Sequence, residues 1–81
     1  MDFVKLGRIA LGQKKYQDAI IFFSQAKKIN PGIPSVYKYL GIVYATQGNT
    51  TKACAQYRQY ILLAPNAKDK AQIENALKGC Q

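Results

Sequence analysis

The chain has 81 residues, with twelve lysines and arginines against four acids, no histidine and a formal charge of +8. That length makes one domain with a thin core, since so short a chain buries only about 60–65% of the surface its unfolded state exposes. Its mean hydropathy is slightly negative and no apolar run approaches the ~20 residues of a membrane-spanning helix. No basic-then-apolar leader marks it for secretion, so no membrane span and a cytoplasmic location are expected.

The inventory speaks against catalysis. Without histidine there is no ready general base or partner for a nucleophile. Asp2, Asp18, Asp69 and Glu74 are scattered rather than paired, and no glycine-rich phosphate loop is present. No enzyme activity, metal or cofactor is expected. Cys54 and Cys80 are too few for a four-ligand zinc site and too far apart for a Cys-x-x-Cys redox motif.

In chain order, residues 3–12 read as a first helix whose apolar positions Phe3, Val4, Leu6, Ile9, Ala10 and Leu11 exceed one stripe. A turn at 12–16 leads to a second helix over 17–30, with Ala19, Ile20, Phe23, Ala26 and Ile29 facing inward. Asn30, Pro31 and Gly32 end it, because proline disfavours helical geometry in the residue before it. A third helix opens at Pro34 or Ser35, with Ser35 as its N-cap, and presents Tyr37, Leu40, Gly41 and Tyr44 inward. A turn at 47–50 precedes a fourth helix over 51–64. Asn49, Thr50 and Thr51 match a glycosylation sequon, but turn and capping chemistry accounts for the same residues. Residues 68–78 form a fifth helix with Ile73, Ala76, Leu77 and Cys80 on one face, and Lys70, Glu74 and Lys78 at i, i+4 spacing on another.

Offset by thirty-four residues, the chain matches itself without a gap: Leu6 falls on Leu40, Gly7 on Gly41, Ala19 on Ala53, Phe23 on Tyr57 and Pro31 on Pro65. Phe3, Leu6, Gly7, Ala10, Ala19, Phe23, Ala26 and Pro31, with Tyr37, Leu40, Gly41, Tyr44, Ala53, Tyr57, Tyr60 and Pro65, resemble the tetratricopeptide repeat signature. Phe3 and Tyr37 stand for the family's tryptophan and Ala10 for an aromatic. Tyr60 replaces a small residue, so a large side chain must find room where helices approach closely.

The resemblance implies an all-α fold, a short right-handed α-solenoid of about five helices. Its parts would be repeat one at 1–33, repeat two at 34–67 and a capping helix at 68–81. A cap is expected because the third unit carries Ala71, Glu74 and Asn75 where ring, leucine and glycine would recur. The first helix has no equivalent cover. Arrays generally need about three repeats, so either preceding repeats or another chain, including a second copy, is expected against it. Because the repeat supplies its own core, the adopted reading leaves both cysteines as thiols, with Cys54 a buried small hydrophobe and a structural disulfide as the alternative.

The resemblance also implies function: a non-catalytic scaffold binding a peptide segment of another protein on its concave face. Carried over by position, that wall is Val4, Arg8, Leu11 and Gly12, then Ser35, Lys38, Ile42, Ala45 and Thr46, then Asp69, Gln72 and Ala76. Apolar residues beside Arg8 and Lys38 suit an extended or helical segment with hydrophobic anchors and an acidic group. Glutamate at Arg8 and Lys38 is expected to weaken peptide capture and leave helix stacking untouched. The clamp by which some members hold acidic chaperone C-termini is excluded, since its places carry Val4, Arg8, Tyr39, Asp69 and Ile73, only one of them cationic.

Two alternatives stand beside this reading. One is a basic module binding nucleic acid or another anionic surface, with Tyr39, Tyr44, Tyr57 and Tyr60 for stacking. It is disfavoured because the lysines occupy several faces without a basic block and the tyrosines sit at packing spacings. The other is a purely structural repeat that only stacks on further repeats.

Overall fold

The computed structural model describes residues 1–80, and Gln81, the last residue of the expected capping segment, lies outside them. Five helices run in order: α1 (Phe3–Gly12), α2 (Tyr16–Ile29), α3 (Pro34–Thr46), α4 (Thr50–Leu63) and α5 (Lys70–Leu77). Among the described residues none is long and apolar enough to cross a membrane.

Local chemistry sets the helix ends. The Asp2 side chain accepts from the Lys5 N–H and caps α1. Asn49 does the same for α4 through Lys52, so the sequon asparagine is a helix cap. Ser35 is not the cap of α3: the chain turns in at Ile33, and Pro34 takes the first helical position, where its missing N–H costs nothing. The two hairpin turns are copies. Lys15 N–H donates to Ala10 C=O at 2.9 Å, and Asn49 N–H, thirty-four residues on, donates to Tyr44 C=O at 2.8 Å. Each turn needs a left-handed residue, Lys14 at φ 60° and Gly48 at φ 79°.

Packing repeats as well. α1 lies on α2, α3 on both α2 and α4, and α1 also meets α3. Gly7 sits under the ring of Phe23 and Gly41 under that of Tyr57. Phe23 and Ala19 are fully buried in a first core cluster with Ala10, Ala26 and Leu40. A second cluster gathers Tyr37, Ala53, Tyr57, Tyr60 and Ile73.

α3 is buried on two sides. Beyond the expected stripe, Val36 and Val43 are fully buried against the first repeat. Ile29 is not inward; it is 69% exposed at the last turn of α2, past the point where α3 covers that helix. On α1, Ile9 is 48% exposed, whereas Phe3, Val4 and Leu11 pack against the core.

α5 docks on α4 much as α3 docks on α2, through buried Ile73 and half-buried Leu77. The backbones of α3 and α5 do not come within 8 Å of each other. Lys70, Glu74 and Lys78 form no ion pair among the described residues; such exposed pairs gain little against the entropy of ordering them. The cysteines are not thiols: Cys54 and Cys80 form a disulfide with Cα atoms 6.2 Å apart. The bond supplies the anchoring that α5, eight residues long with one fully covered side chain, has too little apolar surface to supply alone.

Candidate functional site

The charged and aromatic residues of α1 and α3 organise the candidate surface. Arg8, exposed on α1, reaches across to the next repeat and lies 5.7 Å over the ring of Tyr39. Tyr39 stacks on Phe23 at 5.4 Å with the rings 10° from parallel. A cation, a half-buried ring and a core ring therefore form one column across the two hairpins. Cation–ring contact holds a guanidinium in place without neutralising it.

One residue earlier on α3, Lys38 pairs with Asp69 at 2.5 Å, and the Tyr60 hydroxyl donates to the other carboxylate oxygen, Oδ1, at 2.6 Å. Tyr60 thus meets the crowding expected of its size by sending its polar tip out to the loop before α5, while its ring stays buried. The three groups tune one another. Hydrogen bonds from Lys38 and Tyr60 hold the Asp69 carboxyl below its ordinary value. The bond to Asp69 raises Lys38, and the same partner raises the Tyr60 hydroxyl.

Of the residues expected on the wall, Lys38 and Asp69 are brought together. Val4 and Leu11 pack partly into the first core cluster and Ile42 into the second. Arg8, Gly12, Ala45, Gln72 and Ala76 are exposed, and Ser35 is half-buried. Thr46 is also exposed, with its hydroxyl donating back to Ile42 C=O at 2.8 Å. Lys38 is not a free cation like Arg8. It ties α3 to the residue that leads into α5, so replacing it with glutamate would set two carboxylates together and disturb stacking, contrary to expectation. Tyr39 and Tyr60 are the residues that positional reasoning passed over. The signal for Tyr60 was its departure from a small residue, which asks for a polar partner within reach.

Two family models described as tetratricopeptide repeat match the chain, one over residues 3–33 and one over 39–67. Together with the duplicated glycine–ring contacts and turns, they establish that the chain belongs to the tetratricopeptide repeat family. A search of curated proteins gave no significant match. Tetratricopeptide repeats generally mediate protein–protein interactions and are typically non-catalytic scaffolds.

Proposed function

We propose that the protein captures a peptide segment of a partner on the face built by α1, α3 and α5, with Arg8 as its principal charged contact. The observation that carries this reading is the Arg8–Tyr39–Phe23 column: an exposed guanidinium, pre-positioned on a ring and making no ion pair among the described residues. A guanidinium presents a planar fork that matches a carboxylate. Partly covered Val4, Leu11 and Ile42 lie on the same helices and offer shallow apolar contacts. Gly12, Ser35, Ala45, Thr46, Gln72 and Ala76 complete the proposed wall, small or polar enough to let a backbone approach. The segment that fits is acidic with apolar anchors.

The repeat limits are proposed as 1–33 and 34–67 with the remainder as cap, since the duplicated turns and glycine contacts recur at that offset. A second copy packing on α1 through Ile9 remains part of the proposal for what covers that helix.

Titration of a fluorescent acidic peptide with leucine anchors tests the reading. Arg8→Glu should weaken binding at least tenfold while the melting temperature holds. Equal affinity in the variant would overturn it. A tight complex with mixed-sequence RNA, lost steeply as salt rises, would favour the nucleic-acid alternative.

A further inference from the structure

We propose that Lys38 and Tyr60 form a carboxylate-binding site that Asp69 fills from within the chain, and that the Cys54–Cys80 disulfide governs whether a partner's carboxylate can replace it. This deepens the peptide-binding reading above and rests on it.

The site is complete as it stands. One carboxylate oxygen forms an ion pair with the Lys38 ammonium and the other accepts from the Tyr60 hydroxyl, so each oxygen faces a partner. The Lys38 ammonium also lies 6.0 Å over the Tyr60 ring. The occupant comes from the loop before α5, not from the α3–α4 hairpin that supplies the donors. Asp69 accordingly stays only while α5 stays.

What holds α5 is limited. Its Cα atoms approach those of α4 and not those of α3, and Ile73 is its one buried side chain, with half-buried Leu77 beside it. The disulfide fixes its far end to the first turns of α4. Cys54 is 4% exposed, whereas Cys80 is only half-buried and borders a small cavity with Thr50, Thr51 and Arg58. A dithiol reductant can therefore reach Cys80. One of its thiolates attacks Cys80 Sγ, the S–S bond breaks, and Cys54 Sγ leaves with the electron pair and takes a proton. The second thiol of the reductant then displaces Cys80 from the mixed disulfide. Two protein thiols and one oxidised, cyclic reductant result, two electrons having passed. The Arg58 charge beside the cavity favours the departing thiolate.

With the bond open, α5 is a short helix held by Ile73 and half-buried Leu77, and the local effective concentration of Asp69 at the Lys38–Tyr60 pair falls. An acidic segment lying along α1 and α3 can then place a carboxylate there.

The test compares the oxidised chain, the chain reduced with dithiothreitol, Cys80→Ser and Asp69→Ala. Its probe is an N-acetylated Leu-Glu-Glu-Leu-Glu peptide with a free C-terminus. Reduction, Cys80→Ser and Asp69→Ala should each tighten binding at least tenfold, and Lys38→Met in the reduced chain should cancel the gain. Amide exchange over residues 70–77 should rise on reduction while residues 16–29 stay protected. Unchanged exchange at 70–77, or the same affinity in all four forms, overturns the proposal. If the peptide binds every form alike but Arg8→Glu abolishes binding, the wall reading survives and this one falls. If instead Asp69→Ala gains Lys38-dependent binding that Arg8→Glu leaves intact, the carboxylate site survives and Arg8 loses its role.

Discussion

The backbone of Gly41 lies so close to the ring of Tyr57 that a Cβ added to it would come within 2.5 Å of the ring, and Gly7 stands in the same relation to Phe23 at 2.6 Å. Both rings are buried and have nowhere to retreat. Gly→Ala in a helix ordinarily gains up to about 1 kcal/mol. Here overpacking, typically about 1–3 kcal/mol, should win. Gly7→Ala and Gly41→Ala are each expected to lower stability, whereas Gly12→Ala, whose added methyl meets nothing within 4 Å, should be neutral or stabilising. Urea unfolding of the three variants checks this; a stabilised Gly41→Ala would show that the hairpin has slack.

The left-handed turn residue is where the two repeats differ in chemistry but not in geometry. Lys14 has φ 60° and Gly48 φ 79°. A side chain in that region costs about 1–2 kcal/mol, partly offset by the greater freedom that glycine has when unfolded. Lys14→Gly should therefore stabilise by about 0.5–1 kcal/mol, raising the melting temperature by about 2–8 °C in a domain of this size. Gly48→Ala should lose about 1 kcal/mol. Calorimetry on both variants gives the comparison.

These pairs also show how much of the fold the sequence alone carries. The thirty-four-residue offset carried the helices and the turns, because each is set by residues close in sequence; that Gly7 and Gly41 meet the rings of Phe23 and Tyr57 became legible only in the structure. The fifth helix runs over 70–77 rather than 68–78, because residues 67–70 close as a turn in which the Lys70 N–H donates to Ala67 C=O. What stayed hidden depends on distant partners. That Asp69 would meet Lys38 and Tyr60 required knowing the direction in which the chain leaves α4. The disulfide was misread because the apolar cover between α5 and α4 is smaller than the repeat pattern implies. Val36 and Val43 were missed because α3 is packed on two sides, which a single inward stripe does not describe.

The Asp69 cluster makes stability depend on pH at both extremes. Asp69 is held below 3.8 by Lys38 and Tyr60, so its contribution is present above the unfolded value and is lost as pH falls through the folded one. Lys38 is raised above 10.5 and Tyr60 above 10.0, both chiefly by Asp69. Their contributions are present below those values and are lost as pH rises through the folded ones. Between about pH 5 and pH 9 the cluster should add no slope. Asp69→Asn should flatten the difference in melting temperature between pH 5 and pH 3, while leaving the plateau lower. An unchanged acid limb would mean that other carboxyls dominate it.

Among the described residues one side-chain hydrogen bond crosses the packed junction of the two repeats. The Tyr37 hydroxyl donates to Pro31 C=O at 2.6 Å, fastening the start of α3 to the loop that ends the first repeat. The ring itself is buried, 7% exposed, beside Ala53 and Tyr57, and Lys27 lies 5.6 Å over it. Tyr37→Phe keeps the ring and removes only the donor. Because Pro31 is exposed and its carbonyl can turn to water, the loss should be about 1 kcal/mol rather than a full desolvation penalty. Tyr37→Ala removes the ring as well and should cost about 3–5 kcal/mol. Chemical denaturation separates the two; if Tyr37→Phe costs as much as Tyr37→Ala, the hydrogen bond rather than the packed ring joins the repeats.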